Sequence, residues 1–298
     1  MQLSASMAQS FTLSTSILTN QSARSGGCVG IADMDGDGLD DLILLHQSKT
    51  LSIDYQNADG SFTSYAYGNV SNSSQWGMAV GDVDNDGHKD LVSGGNGDGV
   101  HFVEISGRGV YTPVTNLNNG SMFMQCMNMM DMNNDGWLDV FGCHDNAAPR
   151  TWLNNGSGSL TYNAWINYAT SPSSDMSGNY GSTWTDFDND GDVDLYITKC
   201  RQGVNNSSDP RRWNRLFVND GSNNYTDQAL AYGVQNREQS WSSDFADIDN
   251  DGDLDLITTN HSTTIQLFIN DGTGHYTNAT SGSGLEYSNF FLQTKCAD

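Results

Sequence analysis

The sequence predicts an all-β fold, a propeller of four-stranded blades, and three observations carry that prediction. A nine-residue pattern, Asp-x-Asp-x-Asp-Gly-x-x-Asp, occurs five times, starting at Asp33, Asp82, Asp131, Asp186 and Asp247, with Asn133 replacing one Asp in the third copy. Short β-branched or aromatic runs leave the copies, such as Asp41-Leu-Ile-Leu-Leu, Asp194-Leu-Tyr-Ile-Thr and Asp255-Leu-Ile-Thr-Thr. Runs of this kind bounded by Gly, Asn and Asp read as strands. A second pattern, a turn followed by an aromatic or apolar residue and Thr, recurs in phase with the first.

Each unit then divides into four strands. The first leads into the acidic loop and the second leaves it. The third runs to a turn such as Asp59-Gly60, Asn155-Gly156, Asp220-Gly221 or Asp271-Gly272. Asn-Gly and Asp-Gly favour hairpins because they tolerate positive φ. The fourth begins at Phe62-Thr63, Tyr111-Thr112, Leu160-Thr161, Tyr225-Thr226 or Tyr276-Thr277. From this pair to the next loop takes 20, 20, 26 and 22 residues. Phe11-Thr12 lies 22 residues before Asp33, and Tyr276 lies 22 before Asp298. A repeat of about 53 residues is close to the length of a propeller blade. The reading is a single domain over residues 9–298, with five full blades and part of a further one. It opens on a fourth strand at Phe11 and reaches position 1 of a sixth loop at Asp298.

The loops specify a hard cation. Positions 1, 3 and 5 supply side-chain oxygens, and Gly at position 6 (Gly38, Gly87, Gly136, Gly191, Gly252) permits a sharp turn. The position 7 carbonyls of Leu39, His88, Trp137, Asp192 and Asp253 and the position 9 carboxylates can complete an all-oxygen shell. Ca2+ takes six to eight oxygens in flexible geometry. An EF-hand is excluded, because its loop needs Glu at position 12 between helices. Position 12 is Leu44, Ser93, Gly142, Ile197 and Thr258, and strands flank the loops.

Charge agrees with this chemistry. The formal net charge is -24, and 19 of the 36 acidic residues stand at positions 1, 3, 5 and 9 of the five loops. Clustered carboxylates repel, so metal binding is expected to be coupled to folding. The acidic balance argues against a nucleic-acid partner, and no apolar stretch is long enough to span a membrane. Ser6-Met7-Ala8 fits the end of a secretory leader cut before Gln9. Residues 1–8 are either its remnant or an ordinary flexible terminus.

The five cysteines, Cys28, Cys126, Cys143, Cys200 and Cys296, have no zinc spacing. Cys126 and Cys143 lie five residues before and four after the third loop. They are placed to face each other across a hairpin, as a disulfide or as buried thiols.

With these motifs the chain resembles the FG-GAP/VCBS repeat family, which includes the integrin α-subunit propeller and many secreted bacterial proteins. The five loops and Asn214-Arg-Leu-Phe217-Val-Asn219-Asp220-Gly221 carry the resemblance. It implies a calcium-binding β-propeller, usually of seven blades, with Ca2+ between the first two strands of a blade. Carried onto this sequence, the implied ligands form five sets. They are Asp33, Asp35, Asp37 and Asp41; Asp82, Asp84, Asp86 and Asp90; Asp131, Asn133, Asp135 and Asp139; Asp186, Asp188, Asp190 and Asp194; and Asp247, Asp249, Asp251 and Asp255. Asn133 removes a charge, so the third site is expected to be the weakest. The Ser/Asn/Gly-rich texture resembles exported bacterial surface proteins.

Other candidates are fewer. The longest insertion, 199–215, concentrates Lys199, Arg201, Arg211, Arg212 and Arg215. It reads as a patch for an acidic glycan or carboxylated partner, because Arg forks suit carboxylates, or as local charge balance. Trp76 and Trp241 both stand six residues before their loops, which suggests a repeated packing role, while Trp137 is the better candidate for an exposed aromatic. The six histidines form no catalytic spacing and read as surface or loop residues. Asn-x-Ser/Thr sequons are frequent, as an Asn- and Ser-rich chain gives by chance.

The functional expectation is a secreted or cell-surface module, stabilised by about five Ca2+, that binds a glycan or an extracellular protein. A polysaccharide lyase or hydrolase is one alternative. A scaffold segment of a larger surface protein is another.

Overall fold

The computed structural model describes residues 16, 18, 28–46, 49–117, 120–289 and 291–296. Ser6-Met7-Ala8, Phe11-Thr12, the sequons at Asn20 and Asn119, and Asp298 lie outside them. Among the described residues, five antiparallel sheets of four strands follow one another in a propeller-like arrangement. Among the described residues there is no α-helix.

Blade one comprises β1 (Val29–Ala32), β2 (Asp41–His46), β3 (Thr50–Gln56) and β4 (Phe62–Asn69). Blade two comprises β5 (Gln75–Gly81), β6 (Asp90–Gly95), β7 (Val100–Val103) and β10 (Thr115–Asn116). A separate small hairpin, β8 (Ile105–Gly107) and β9 (Val110–Tyr111), interrupts it. Blade three is β11 (Met124–Met130), β12 (Asp139–His144), β13 (Arg150–Asn154) and β14 (Leu160–Asn163). Blade four is β15 (Asn179–Thr185), β16 (Asp194–Lys199), β17 (Arg215–Asn219) and β18 (Tyr225–Asp227). Blade five is β19 (Ser240–Ala246), β20 (Asp255–Asn260), β21 (Gln266–Asn270) and β22 (Tyr276–Asn278).

Four blades follow the predicted division, with the fourth strand starting at the residue–Thr pair. Blade two differs. Tyr111 pairs with Ile105 in the small hairpin, and the fourth strand begins at Thr115, opposite Phe102. The tight Arg108-Gly109 turn folds the chain straight back on β8, so the blade resumes only afterwards.

The first strands stand side by side. At Gly77, a Cβ would come within 2.9 Å of the Cys126 and Met127 backbone; at Gly181, within 2.9 Å of the Trp241 carbonyl. Glycine in a strand marks this kind of close backbone approach. The second strands are sandwiched between blades, and all six residues of β6, β12, β16 and β20 are buried. The core therefore lies between neighbouring blades. Ile43 and Leu45 pack with Leu91 and Val103; Val92 with Val140 and Trp152; Phe141 with Leu195 and Phe217; Tyr196 with Leu256 and Phe268.

Cys126 and Cys143 are direct cross-strand partners in β11 and β12. Both are free thiols, as are the other three cysteines. Two histidines depart from the surface reading: His101 and His144 are buried.

Candidate metal centres

Each acidic loop is built by its own backbone. The position 1 carboxylate collects the N–H groups of the following turn: Asp33 accepts from Gly36 at 2.8 Å and Gly38 at 2.9 Å, and Asp131 from Asp135 at 3.0 Å and Gly136 at 2.7 Å. Asp82, Asp186 and Asp247 repeat this with residues four and five further on. The position 5 carboxylate then accepts the position 7 N–H, as in His88 to Asp86 at 2.8 Å. Two residues per loop have left-handed φ. One is the expected Gly at position 6; the other is position 4, where Asn85, Asn134, Asn189 and Asn250 reach 58–68°. Asn tolerates that region better than other non-Gly residues, which explains why position 4 is Asn or Gly throughout.

Four loops gather oxygens. Single ligand atoms of Asp33, Asp35 and Asp37 lie within 4.8 Å of one another, as do those of Asp82, Asp84 and Asp86, of Asp186, Asp188 and Asp194, and of Asp247, Asp249 and Asp251. Asp41, Asp90, Asp139, Asp190 and Asp255 fall outside these groups. In the third loop the Asn133 amide donates to Asp135 at 3.0 Å.

The position 9 residues have a role that spacing did not reveal. Asp90 accepts the Val83 N–H at 2.9 Å with one oxygen and the Ile105 N–H at 2.8 Å with the other. Asp41, Asp139 and Asp255 make the same two bonds, to residues seven before and fifteen after them. In blade four the second bond, Asp194 to the Asn219 N–H at 2.8 Å, spans 25 residues because the 199–215 insertion intervenes. Position 9 thus staples the loop to the end of the third strand.

Among the described residues, no cation pairs with Asp90, Asp139 or Asp194. Burial pushes Asp90 up to about 7, Asp139 to about 6 and Asp194 to about 8. Burial and the neighbouring Asp190 and Asp186 also raise Asp188, whose Oδ1 is buried without a hydrogen-bond donor. A hard divalent cation fits such a set of oxygens. Loop one is different. There the Arg108 guanidinium bonds to Asp35, and to Asp37 at 2.8 Å.

The basic insertion is not a surface patch. Lys199 and Arg215 are fully buried and Arg212 nearly so. Lys199 Nζ donates to the Ser177 carbonyl at 2.6 Å and to Asn179 Oδ1 at 2.8 Å, and burial pushes its amine down to about 7. Arg215 pairs with buried Asp227 at 2.7 Å and donates to the Ser171 and Pro210 carbonyls. Arg212 donates to the Arg237 and Asn205 carbonyls and pairs with Glu238. Arg211 is already paired with Asp209, which caps the 3-10 turn Pro210–Arg212. Arg201 is half-buried. Lys199, Arg212 and Arg215 are struts that hold the insertion together.

A different surface stands at the opposite end of the first strands. Register shifts between Gln75 and Gly77, Met124 and Cys126, Asn179 and Ser182, and Ser240 and Ser242 bulge the chain at Trp76, Gln125, Tyr180 and Trp241. All four residues stand six positions before their loop, about 20 Å away at the rise of a strand. Bulges re-aim side chains. Trp76 is 51% exposed and meets Phe123 edge-on at 5.6 Å. Tyr180, Trp241 and His261 form a tilted stack with centroids 5.6 and 5.4 Å apart. Gln125 donates to Asp145. Trp137, by contrast, is half-buried against the Gly156 turn. Below the rim, Asn128, Ser182, Thr183, Ser243 and Asp244 line a cavity of about 470 Å³ between the first strands of blades three to five.

Comparison with known proteins agrees with this architecture. The structure of BBS1N in complex with ARL6DN, soaked with lead, is similar at a TM-score of 0.53 and 12% identity, over 86% of this chain and 68% of that one. The mercury-soaked form gives 0.51 and 11% over the same shares. An Agrocybe aegerita lectin, solved for its specific recognition of non-reducing terminal N-acetylglucosamine, aligns at 0.41 and 15%, over 89% of this chain and 84% of that one. No curated protein matches by sequence. The profile of the FG-GAP-like repeat matches residues 33–93, 131–197 and 186–258, each span holding the loops and strands described above. The chain belongs to the FG-GAP-like repeat family.

Proposed function

We propose that this chain is an extracellular binding module, stabilised by calcium in its acidic loops, that recognises a glycan through the bulged rim. One observation carries the reading: four successive blades present Trp76, Gln125, Tyr180 and Trp241 from the same bulge, at the end away from the acidic loops. A pyranose offers apolar C–H faces ringed by hydroxyls. Aromatic planes complement the faces, and amide and carboxylate groups such as Gln125 and Asp145 complement the hydroxyls. Repetition around the rim suits a ligand with several sugar units.

Calcium is structural in this account. Each ion offsets carboxylates that burial and mutual repulsion hold in an unfavourable state. Extracellular calcium modules bind at roughly 10⁻⁴–10⁻³ M, a range filled outside cells, so a secreted or cell-surface location is proposed. The chain is proposed to bind rather than to catalyse, because its most perturbed carboxylates are the loop staples and its buried cations are struts.

A glycan and polysaccharide array in calcium, repeated with chelator, tests this. The expected result is binding to a defined glycan class, lost in Trp76→Ala and Trp241→Ala variants that remain folded. No glycan bound by the wild-type chain refutes the glycan reading and directs the search to protein partners. New reducing or unsaturated ends would instead establish an enzyme.

A further inference from the structure

The turn between the third and fourth strands of a blade lies against the acidic loop of the preceding blade. At the second loop, a Cβ on Gly158 would lie 2.6 Å from Asp84 Cβ. At the third, the Asn223 amide donates to the Asn133 carbonyl at 3.3 Å. At the fourth, a Cβ on Gly274 would lie 3.2 Å from Asp188 Cβ. Each contact falls on loop position 3. The residues just before these contacts are Ser157, Ser222 and Thr273, so none of the three turns brings an ionic partner to the loop.

The first loop breaks the series. The equivalent turn in blade two presents Arg108, whose guanidinium bonds to Asp35 and Asp37. The same group donates to Asn57 Oδ1 at 3.2 Å and lies 5.0 Å over the Tyr55 ring. A second cation from blade two, Lys89, donates to the Asp33 carbonyl at 2.8 Å. Two side-chain cations thus bring the formal charge of one divalent ion to this loop.

The turn that delivers Arg108 is itself anchored. The Tyr67 hydroxyl accepts the Gly109 N–H at 3.0 Å and donates to the Gly107 carbonyl at 3.3 Å, with the Tyr55 hydroxyl 2.6 Å behind it. Gly109 has φ +77°, and a Cβ there would meet the Tyr65 ring at 2.7 Å. The chain on both sides of Arg108 is therefore strapped to blade one, and a guanidinium held in place loses little entropy when it pairs.

We propose that Arg108 is the resident cation of the first loop. The guanidinium ties blade two to blade one there, and this loop takes no calcium at concentrations that fill the loops at Asp82, Asp186 and Asp247. The first loop, rather than the third with its Asn133, is then the weakest site. The inference rests on the calcium reading above.

The test counts bound calcium by native mass spectrometry and equilibrium dialysis at millimolar Ca2+. Arg108→Gly, which removes the guanidinium from the turn, is expected to bind one more calcium than the wild type. Asp35→Asn combined with Asp37→Asn in the otherwise wild-type chain is expected to leave the count unchanged, because no calcium is bound there to lose. Asp84→Asn combined with Asp86→Asn is expected to lower it by one. An Arg108→Gly count equal to wild type, or a wild-type chain that loses one calcium with the Asp35 and Asp37 changes, overturns the proposal while leaving the calcium reading intact. A wild-type chain that binds none overturns both.

Discussion

Replacing Arg215 with methionine tests whether the basic insertion is a strut or a binding patch. Arg215 has no exposed side-chain surface, and Asp227 has 3%. Methionine keeps most of the volume but removes the charge, so Asp227 loses its 2.7 Å partner. It retains the Ser171 N–H at 3.1 Å. The Ser171 and Pro210 carbonyls also lose donors. Breaking a buried pair from one side costs about 3–5 kcal/mol, because an uncompensated charge stays buried. The Arg211–Asp209 pair is exposed and screened by solvent, so Arg211→Met serves as the control. Urea unfolding followed by tryptophan fluorescence reads both. Arg215→Met should lower the midpoint strongly, and adding Asp227→Leu should recover part of the loss. Ligand binding by the folded fraction should be unchanged. A loss below about 1 kcal/mol, or lost binding with full stability, would refute the strut argument.

Three further outcomes are expected. Burial, and then Arg150, push His144 down to about 4, while its Nδ1 accepts the Asn146 N–H at 3.2 Å. Its folded-state affinity for protons is below the unfolded value of 6.5, so stability is lost as pH falls from 6.5 towards 4, by up to about 3 kcal/mol. The difference between wild type and His144→Gln in urea midpoints across that window isolates the effect. Gly77→Ala should cost about 1–3 kcal/mol by overpacking against the Cys126 and Met127 backbone, read as a lower melting temperature. Asp84→Ala should destabilise in calcium but be neutral or stabilising in EDTA. Burial and the nearby Asp86 and Asp82 already disfavour its charge.

Much of this architecture was legible because one constraint fixes it. Ligand spacing sets the loop, the loop sets where two strands begin, and Asn-Gly or Asp-Gly sets the next turn. Single-residue geometry was partly legible. The six-residue offset of Trp76 and Trp241 pointed to a repeated position, but only strand register shows that this position is a bulge and that it also holds Gln125 and Tyr180. Long-range pairing was not legible. Five cations between 199 and 215 look like a patch in one dimension, whereas Arg215 and Arg212 find their partners Asp227 and Glu238 12 and 26 residues away. Arg108 shares no motif with Asp35, 73 residues earlier, and only the packing of one blade's turn on the preceding loop joins them. Tyr111 shows the opposite failure. It has the right motif, yet a tight turn diverts it into a different hairpin.

The most direct test of the central claim is a thermal melt of the wild-type chain in calcium and in EDTA. At calcium ten times a loop's dissociation constant, each filled loop adds about 1.4 kcal/mol. Three or four such loops give about 4–6 kcal/mol, or about 10 °C for a chain of this size. The account predicts an upward shift of that order that saturates with calcium. A melting temperature unmoved by EDTA would contradict it.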